Sequence, residues 1–179
     1  MIWWEKAWQE WREKQVGDEG RKAIHRGIIP GLIIFLATGF FSGFLPYLPG
    51  TAGTLIGLAS YWLLLRQIST GGYLLLLLCL IPLGSFLCSK AEGYLGKSDA
   101  APIILDEWIG YLISVAALPY GPWALWGGFF LFRLFDISKP PPIRQIQSLP
   151  GGWGVMLDDV LAGIYANLIL RVFLSWVGG

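Results

Sequence analysis

Apolar residues occupy this chain in long unbroken blocks, with polar residues confined to short patches between them. No charged side chain occurs in residues 27–65, 67–89 or 108–132, and each of those stretches exceeds the ~20 residues that cross a bilayer. Apolar segments are expected at residues 28–45, 54–68, 73–89, 103–118, 122–135 and 155–177. The predicted fold is all-α, a polytopic integral membrane helical bundle of about five to six apolar segments, some short or re-entrant. The first segment is punctuated by Pro30-Gly31, Gly39, Ser42-Gly43 and Pro46. A broken or re-entrant course is therefore expected there, since irregular backbone at depth is tolerated where it lines a polar cavity.

The first 26 residues follow a different pattern. Trp4, Trp8 and Trp11 recur at helical spacing among Glu5, Lys6, Glu10, Arg12, Glu13 and Lys14, as in an amphipathic helix lying at a membrane interface. The other reading is a helix packed on the protein itself or on a partner. No apolar core precedes a small-residue cleavage site, so the segment does not read as a signal peptide. The chain thus divides into a Trp-rich interfacial segment, 1–26, and a membrane-embedded domain, 27–179.

Composition agrees with a membrane protein: of 179 residues 55% are hydrophobic and 14% charged, against the ~25% charged typical of soluble domains. The net charge of +1 provides no basic field for nucleic acid. Cys79 and Cys88 share an apolar segment at a spacing that matches no metal motif, and read as packing residues. His25, the only histidine, lies in the basic run of Arg21, Lys22 and Arg26 and reads as interfacial.

Against this background five carboxylates stand out: Asp106 and Glu107, Asp136, and Asp158 and Asp159. An ionisable group in an apolar segment costs at least a few kcal/mol unless it meets a partner or a wet cavity. Each adjacent pair is expected to open an apolar helix, with Gly110 or Gly163 one turn on to admit a neighbouring helix. Helix capping explains one carboxylate at each start. A second at each start suits Mg2+, which prefers carboxylate oxygens and keeps water and substrate phosphate in its shell. Arg133, Asp136 and Lys139 are spaced by three, so a continuing helix places them on one face, either as a structural ion pair or as a clamp on phosphate. Thr51, Gly53 and Thr54 lie in a Gly-Thr stretch before an apolar segment, which suits an anion or an ordinary turn. If all segments cross, the loops bearing these residues fall on one face.

Other phosphatase chemistries lack their residues. A phosphohistidine route has only His25 to draw on. Six positions after Cys79 and Cys88 stand Ser85 and Tyr94 rather than arginine, and no Asp-x-Asp occurs.

Four motifs in order carry a resemblance. Pro49-Gly-Thr-x-Gly-Thr54, Asp99 with Asp106-Glu-x-x-Gly110, Phe132-Arg-x-Phe-Asp-x-x-Lys-Pro-x-Pro-Ile143, and Gly151-Gly-x-Gly-x-Met-x-Asp-Asp-x-x-Ala-Gly163 resemble the successive motifs of the phosphatidylglycerophosphatase A family. The resemblance runs from about Thr38 to Ala166, leaving the Trp-rich segment outside. It implies a Mg2+-dependent bacterial membrane hydrolase that releases the terminal phosphate of phosphatidylglycerophosphate, with a phospholipid substrate and no nucleic-acid partner. Asp106, Glu107, Asp136, Asp158 and Asp159 are the implied catalytic set, with Asp106, Glu107, Asp158 and Asp159 as metal ligands. Lys139, Arg133, Thr51, Gly53 and Thr54 are the expected phosphate-binding residues, supported by Asp99. A small membrane cation transporter or channel using intramembrane carboxylates is the alternative. The implied location is the cytoplasmic (inner) membrane with the site facing the cytoplasm. Six crossings would then place residues 1–26, with six of the 13 Lys and Arg, outside, against the positive-inside tendency. A first segment that enters and returns resolves this conflict.

Overall fold

The computed structural model describes residues 27–45 and 48–177; the expected Trp-rich interfacial helix at 1–26 lies outside them. The described residues form helices and turns with no strand. They comprise α1 (Ile28–Ala37), a 3-10 turn (Ser42–Phe44), α2 (Pro49–Leu63), a second 3-10 turn (Leu65–Gln67), α3 (Thr70–Leu95), α4 (Leu105–Ser114), α5 (Pro122–Ser138), α6 (Ile143–Ile146) and α7 (Gly152–Val177). The expected all-α class is met.

Helix lengths revise the expected spans. Only α3 and α7, of 26 residues each, reach about 39 Å, enough for a hydrocarbon core of about 30 Å. The ten-residue helices α1 and α4 reach about 15 Å, half that thickness. Five to six full crossings are therefore not shown by the helix lengths. Hydropathy marks a segment as buried in an apolar medium, but it does not say whether lipid or protein surrounds it.

Helix starts also differ from expectation. The Pro49 to Thr54 stretch, read as a connection, is already helical. Proline at the first helical position has its φ preset and its missing N–H costs nothing there, while Gly50 and Gly53 lie against α4. Likewise α7 begins at Gly152, directly after the left-handed Gly151 (φ 64°). Asp158 and Asp159 are thus nearly two turns inside α7 and do not open it. Lys139 does not continue α5; it is the left-handed residue that ends the helix, at φ 42°.

The short helix α4 is the centre of the bundle. It packs chiefly on α7 and α2, with α3 and α5 around it. Close approach depends on missing side chains: a Cβ on Gly163 would strike the Gly110 carbonyl, and one on Gly57 would meet the Trp108 carbonyl. Tyr73 and Tyr111 anchor neighbours through hydroxyls donated to Leu112 O (2.8 Å) and Leu125 O (3.1 Å), and Trp108 Nε1 donates to Ser60 Oγ (2.9 Å).

A helix that ends inside protein leaves carbonyls that need donors. Asn167 Nδ2 supplies them, donating to Ile113 O (3.2 Å), Ser114 O (3.0 Å) and Ala116 O (2.9 Å). Arg171 holds the Asn167 carbonyl oxygen through Nε at 2.8 Å and reaches Ala116 O at 3.0 Å. With that end satisfied, α4 directs its N-terminus, and the acidic pair on it, to the opposite end of the bundle.

Candidate active site

Asp106 and Glu107 occupy the first turn of α4. The preceding Ile104 provides no side-chain cap. Asp159 approaches from α7, where Gly110 has no side chain to obstruct the Asp159 backbone. The three carboxylates offer oxygens that all lie within 4.8 Å of one another. Asp106 Oδ1 and Glu107 Oε2 are buried and have no hydrogen-bond partner, so helix capping does not account for these two oxygens. Buried carboxylate oxygens left this way carry a desolvation penalty of about 1–3 kcal/mol or more each. An all-oxygen, anionic donor set of this kind suits a hard divalent cation.

The other two carboxylates are bound to cations. Asp136 Oδ2 accepts from Arg133 Nη1 at 2.5 Å on α5, the expected partner one turn away. Asp158 Oδ2 accepts from Lys139 Nζ at 2.6 Å. Burial lowers the pKa of Lys139, but the hydrogen bond and charge of Asp158, reinforced by Asp159 and Asp136, outweigh it and raise the pKa above the ordinary lysine value. Its ammonium therefore stays charged. Of the four residues expected as metal ligands, the structure gathers Asp106, Glu107 and Asp159 and pairs Asp158 with Lys139.

Asp106, Glu107, Arg133, Asp136 and Lys139 line a cavity of about 340 Å³ at one end of the bundle, whereas Asp158 and Asp159 are buried and are not among its lining residues. Its wall comes from the three sequence-predicted regions: Pro49 and Gly50 at the start of α2, Asp99 to Glu107, and Arg133 to Lys139. Gly50 sits against the Glu107 carboxylate and the Arg133 guanidinium, and any side chain there would strike both. The Gly-Thr stretch thus contributes through Gly50. Thr54 is fully buried, its hydroxyl donated to Gly50 O (2.9 Å); Gly53 lies against Ile104; Thr51 is half-buried. These three are not among the cavity-lining residues.

Two positioning residues were missed in the sequence. Glu92, buried near the end of α3, accepts the Asp99 N–H at 2.6 Å and the Ser98 hydroxyl at 3.4 Å. This holds Asp99 at a left-handed φ of 48° at the cavity wall. Gln147 Nε2 then donates to Asp99 Oδ2 at 3.2 Å, tying the loop before α4 to the turn beyond α6. The available signal was a lone carboxylate, Glu92, at the end of an apolar run and seven residues before Asp99.

Comparison with known proteins gives the family. A family model described as phosphatidylglycerophosphatase A matches residues 35–174. A protein of Haemophilus influenzae named phosphatidylglycerophosphatase A is 39% identical over 147 residues, covering 81% of this chain and 90% of its own. One of Escherichia coli with the same name is 38% identical over 138 residues, covering 75% and 79%. A Bacteroides thetaiotaomicron protein, named provisionally as a phosphatidylinositol-3-phosphatase, is 37% identical over 155 residues, covering 83% and 96%. No solved structure matches the chain. The matched residues span the helices and loops that build the acidic cavity, and the chain is a phosphatase belonging to the phosphatidylglycerophosphatase A family.

Proposed function

We propose that this enzyme hydrolyses the terminal phosphate of phosphatidylglycerophosphate, giving phosphatidylglycerol and inorganic phosphate, with Mg2+ held by Asp106, Glu107 and Asp159. The observation that carries this reading is the convergence of those three carboxylates, two with buried unpartnered oxygens, at a cavity that Asp106 and Glu107 line together with Arg133 and Lys139. When bound, Mg2+ would neutralise charge on the phosphoryl oxygens and activate or orient a water. Arg133 and Lys139 hold the remaining phosphate oxygens. Asp136 orients the Arg133 guanidinium and Asp158 orients the Lys139 ammonium, so both donors are fixed before substrate arrives. Water oxygen bonds to phosphorus as the bond to the glycerol oxygen breaks. That oxygen leaves as a hydroxyl with a proton derived from the water. Asp99, fixed by Glu92 and Gln147, bounds the cavity on the side of the loop before α4.

Orientation follows from charge. Of the Lys and Arg among the described residues, Lys90, Lys97, Arg133, Lys139 and Arg144 lie toward the cavity end, and Arg66 and Arg171 toward the other. By the positive-inside tendency the cavity faces the cytoplasm of a bacterial inner membrane. The Bacteroides relative's name favours a second headgroup, a phosphoinositide. The full chain in vesicles, supplied with phosphatidylglycerophosphate or phosphatidylinositol 3-phosphate at equal surface density, tests the choice. Faster phosphate release from the first lipid is expected. Preference for the second would transfer the assignment to phosphoinositides.

A further inference from the structure

The cavity has a polar floor, but part of its rim is apolar and uncovered. Leu48, just before α2, and Ile137, in the last turn of α5, line the same cavity as Asp106 and Arg133, yet are 65% and 71% exposed. From Ile137 an exposed apolar stripe continues back along α5 through Leu134 and Phe130, positions spaced by three and four and hence on one helix face. The stripe begins next to Asp136, on the residue that follows it, and runs away from the charged groups.

We infer that the gap between Leu48 and Ile137 is a lateral portal through which a diacyl lipid reaches the site, with one acyl chain lying on the Ile137–Leu134–Phe130 stripe while the phosphate passes Gly50 to Arg133. This rests on the lipid-phosphatase reading above and adds the route and the residues that select for a long-chain substrate. The occupant follows from continuity: an apolar track that ends at a cation-bearing cavity matches a molecule with an apolar tail joined to a phosphate. Gly50 fits the same role, because any side chain there would close the floor of the cavity against Glu107 and Arg133. A soluble phosphate ester would have no use for the stripe.

The portal is tested by the ratio of kcat/KM for dioleoyl phosphatidylglycerophosphate to that for its dihexanoyl analogue. In the double variant Leu48→Gln, Ile137→Gln the ratio should fall about tenfold, the scale on which a hydrophobic contact discriminates substrates. Leu78→Gln, which alters an exposed apolar residue of α3 away from the cavity, should leave the ratio as it is. An unchanged ratio in the double variant, or an equal fall in Leu78→Gln, would overturn the portal. Photocrosslinking with a diazirine-bearing acyl chain provides a readout independent of turnover. Label is expected on α5 between Phe130 and Ile137; label spread evenly over α3 and α7 would contradict the inference. Parent protein that turns over neither lipid yet labels on α5 would remove the phosphatase reading and leave the portal standing.

Discussion

Gly50 shows how much of this site depends on one absent side chain. A methyl group there would meet the Glu107 carboxylate and the Arg133 guanidinium together. Gly50→Ala should therefore cut phosphate release about 100-fold, the cost of displacing catalytic groups by about an ångström, while the thermal midpoint in detergent stays close to the parent's. A large fall in that midpoint would show that Gly50 serves packing. Lys139 makes a different prediction. Its side chain is about a quarter exposed, and its ammonium neutralises the buried Asp158. Lys139→Met leaves that carboxylate unpaired and should cost about 1–3 kcal/mol of stability, measured by thermal or denaturant unfolding, together with activity. Lys139→Arg should recover most of the stability. The five carboxylates were legible in the sequence because charge is conspicuous in apolar runs. The pairing of Asp136 with Arg133 was legible too, from their spacing on one helix; the clustering of Asp159 with Asp106 and Glu107 and the pairing of Asp158 with Lys139 were not, because they depend on the pitch of α7 and on where α5 ends. Glu92 and Gln147 were illegible for a related reason: their partner, Asp99, is reached only after the chain folds back.

At the level of elements, α4 departs furthest from expectation. Its residues read as part of an apolar segment at 103–118 in the membrane-embedded bundle, yet the helix has ten residues and is surrounded by α2, α3, α5 and α7. Sequence periodicity cannot reveal that α4 ends inside the protein, because the donors that end it, Asn167 and Arg171, come more than 50 positions later. Asn167→Leu keeps the branched heavy-atom skeleton, though with bulkier methyl groups, and removes three donated hydrogen bonds. A loss of about 2–4 kcal/mol is expected, seen as a lowered unfolding midpoint. Activity well below that midpoint should persist, since the acidic cluster lies at the other end of α4. Loss of activity without loss of stability would mean that the cap acts on the site. The early start of α2 was hidden by composition: Pro, Gly and Thr together suggest a turn, but the close packing of Gly53 and Gly57 on α4 favours a helix.

For the molecule as a whole, α3 and α7 are the two described helices long and apolar enough to cross a membrane, and α3 makes the test of that reading simple. It separates Gln67 from Lys97 by 26 helical residues. With Cys79 and Cys88 replaced, single cysteines at those positions should label from opposite sides of sealed inverted vesicles, Lys97 from the cytoplasmic side. A cysteine at Gln15, labelled in the same way, places the Trp-rich segment; the same side as Lys97 is expected if residues 28–45 enter and return. Labelling of Gln67 and Lys97 from one side would reject α3 as a crossing. Sequence and structure agree most closely on the gathering of the three polar regions at one end: the start of α2, the loop before α4 and the end of α5 all line the same cavity. The central claim is that this end holds a magnesium-dependent lipid phosphatase whose metal rests on Asp106, Glu107 and Asp159. The most direct test is phosphate release from phosphatidylglycerophosphate by the purified full chain, stripped with chelator and then titrated with Mg2+. The account predicts negligible release without Mg2+, saturable recovery with it, and at least a 100-fold loss in Asp159→Asn; full release from the stripped protein, or near-parental activity in that variant, would contradict it.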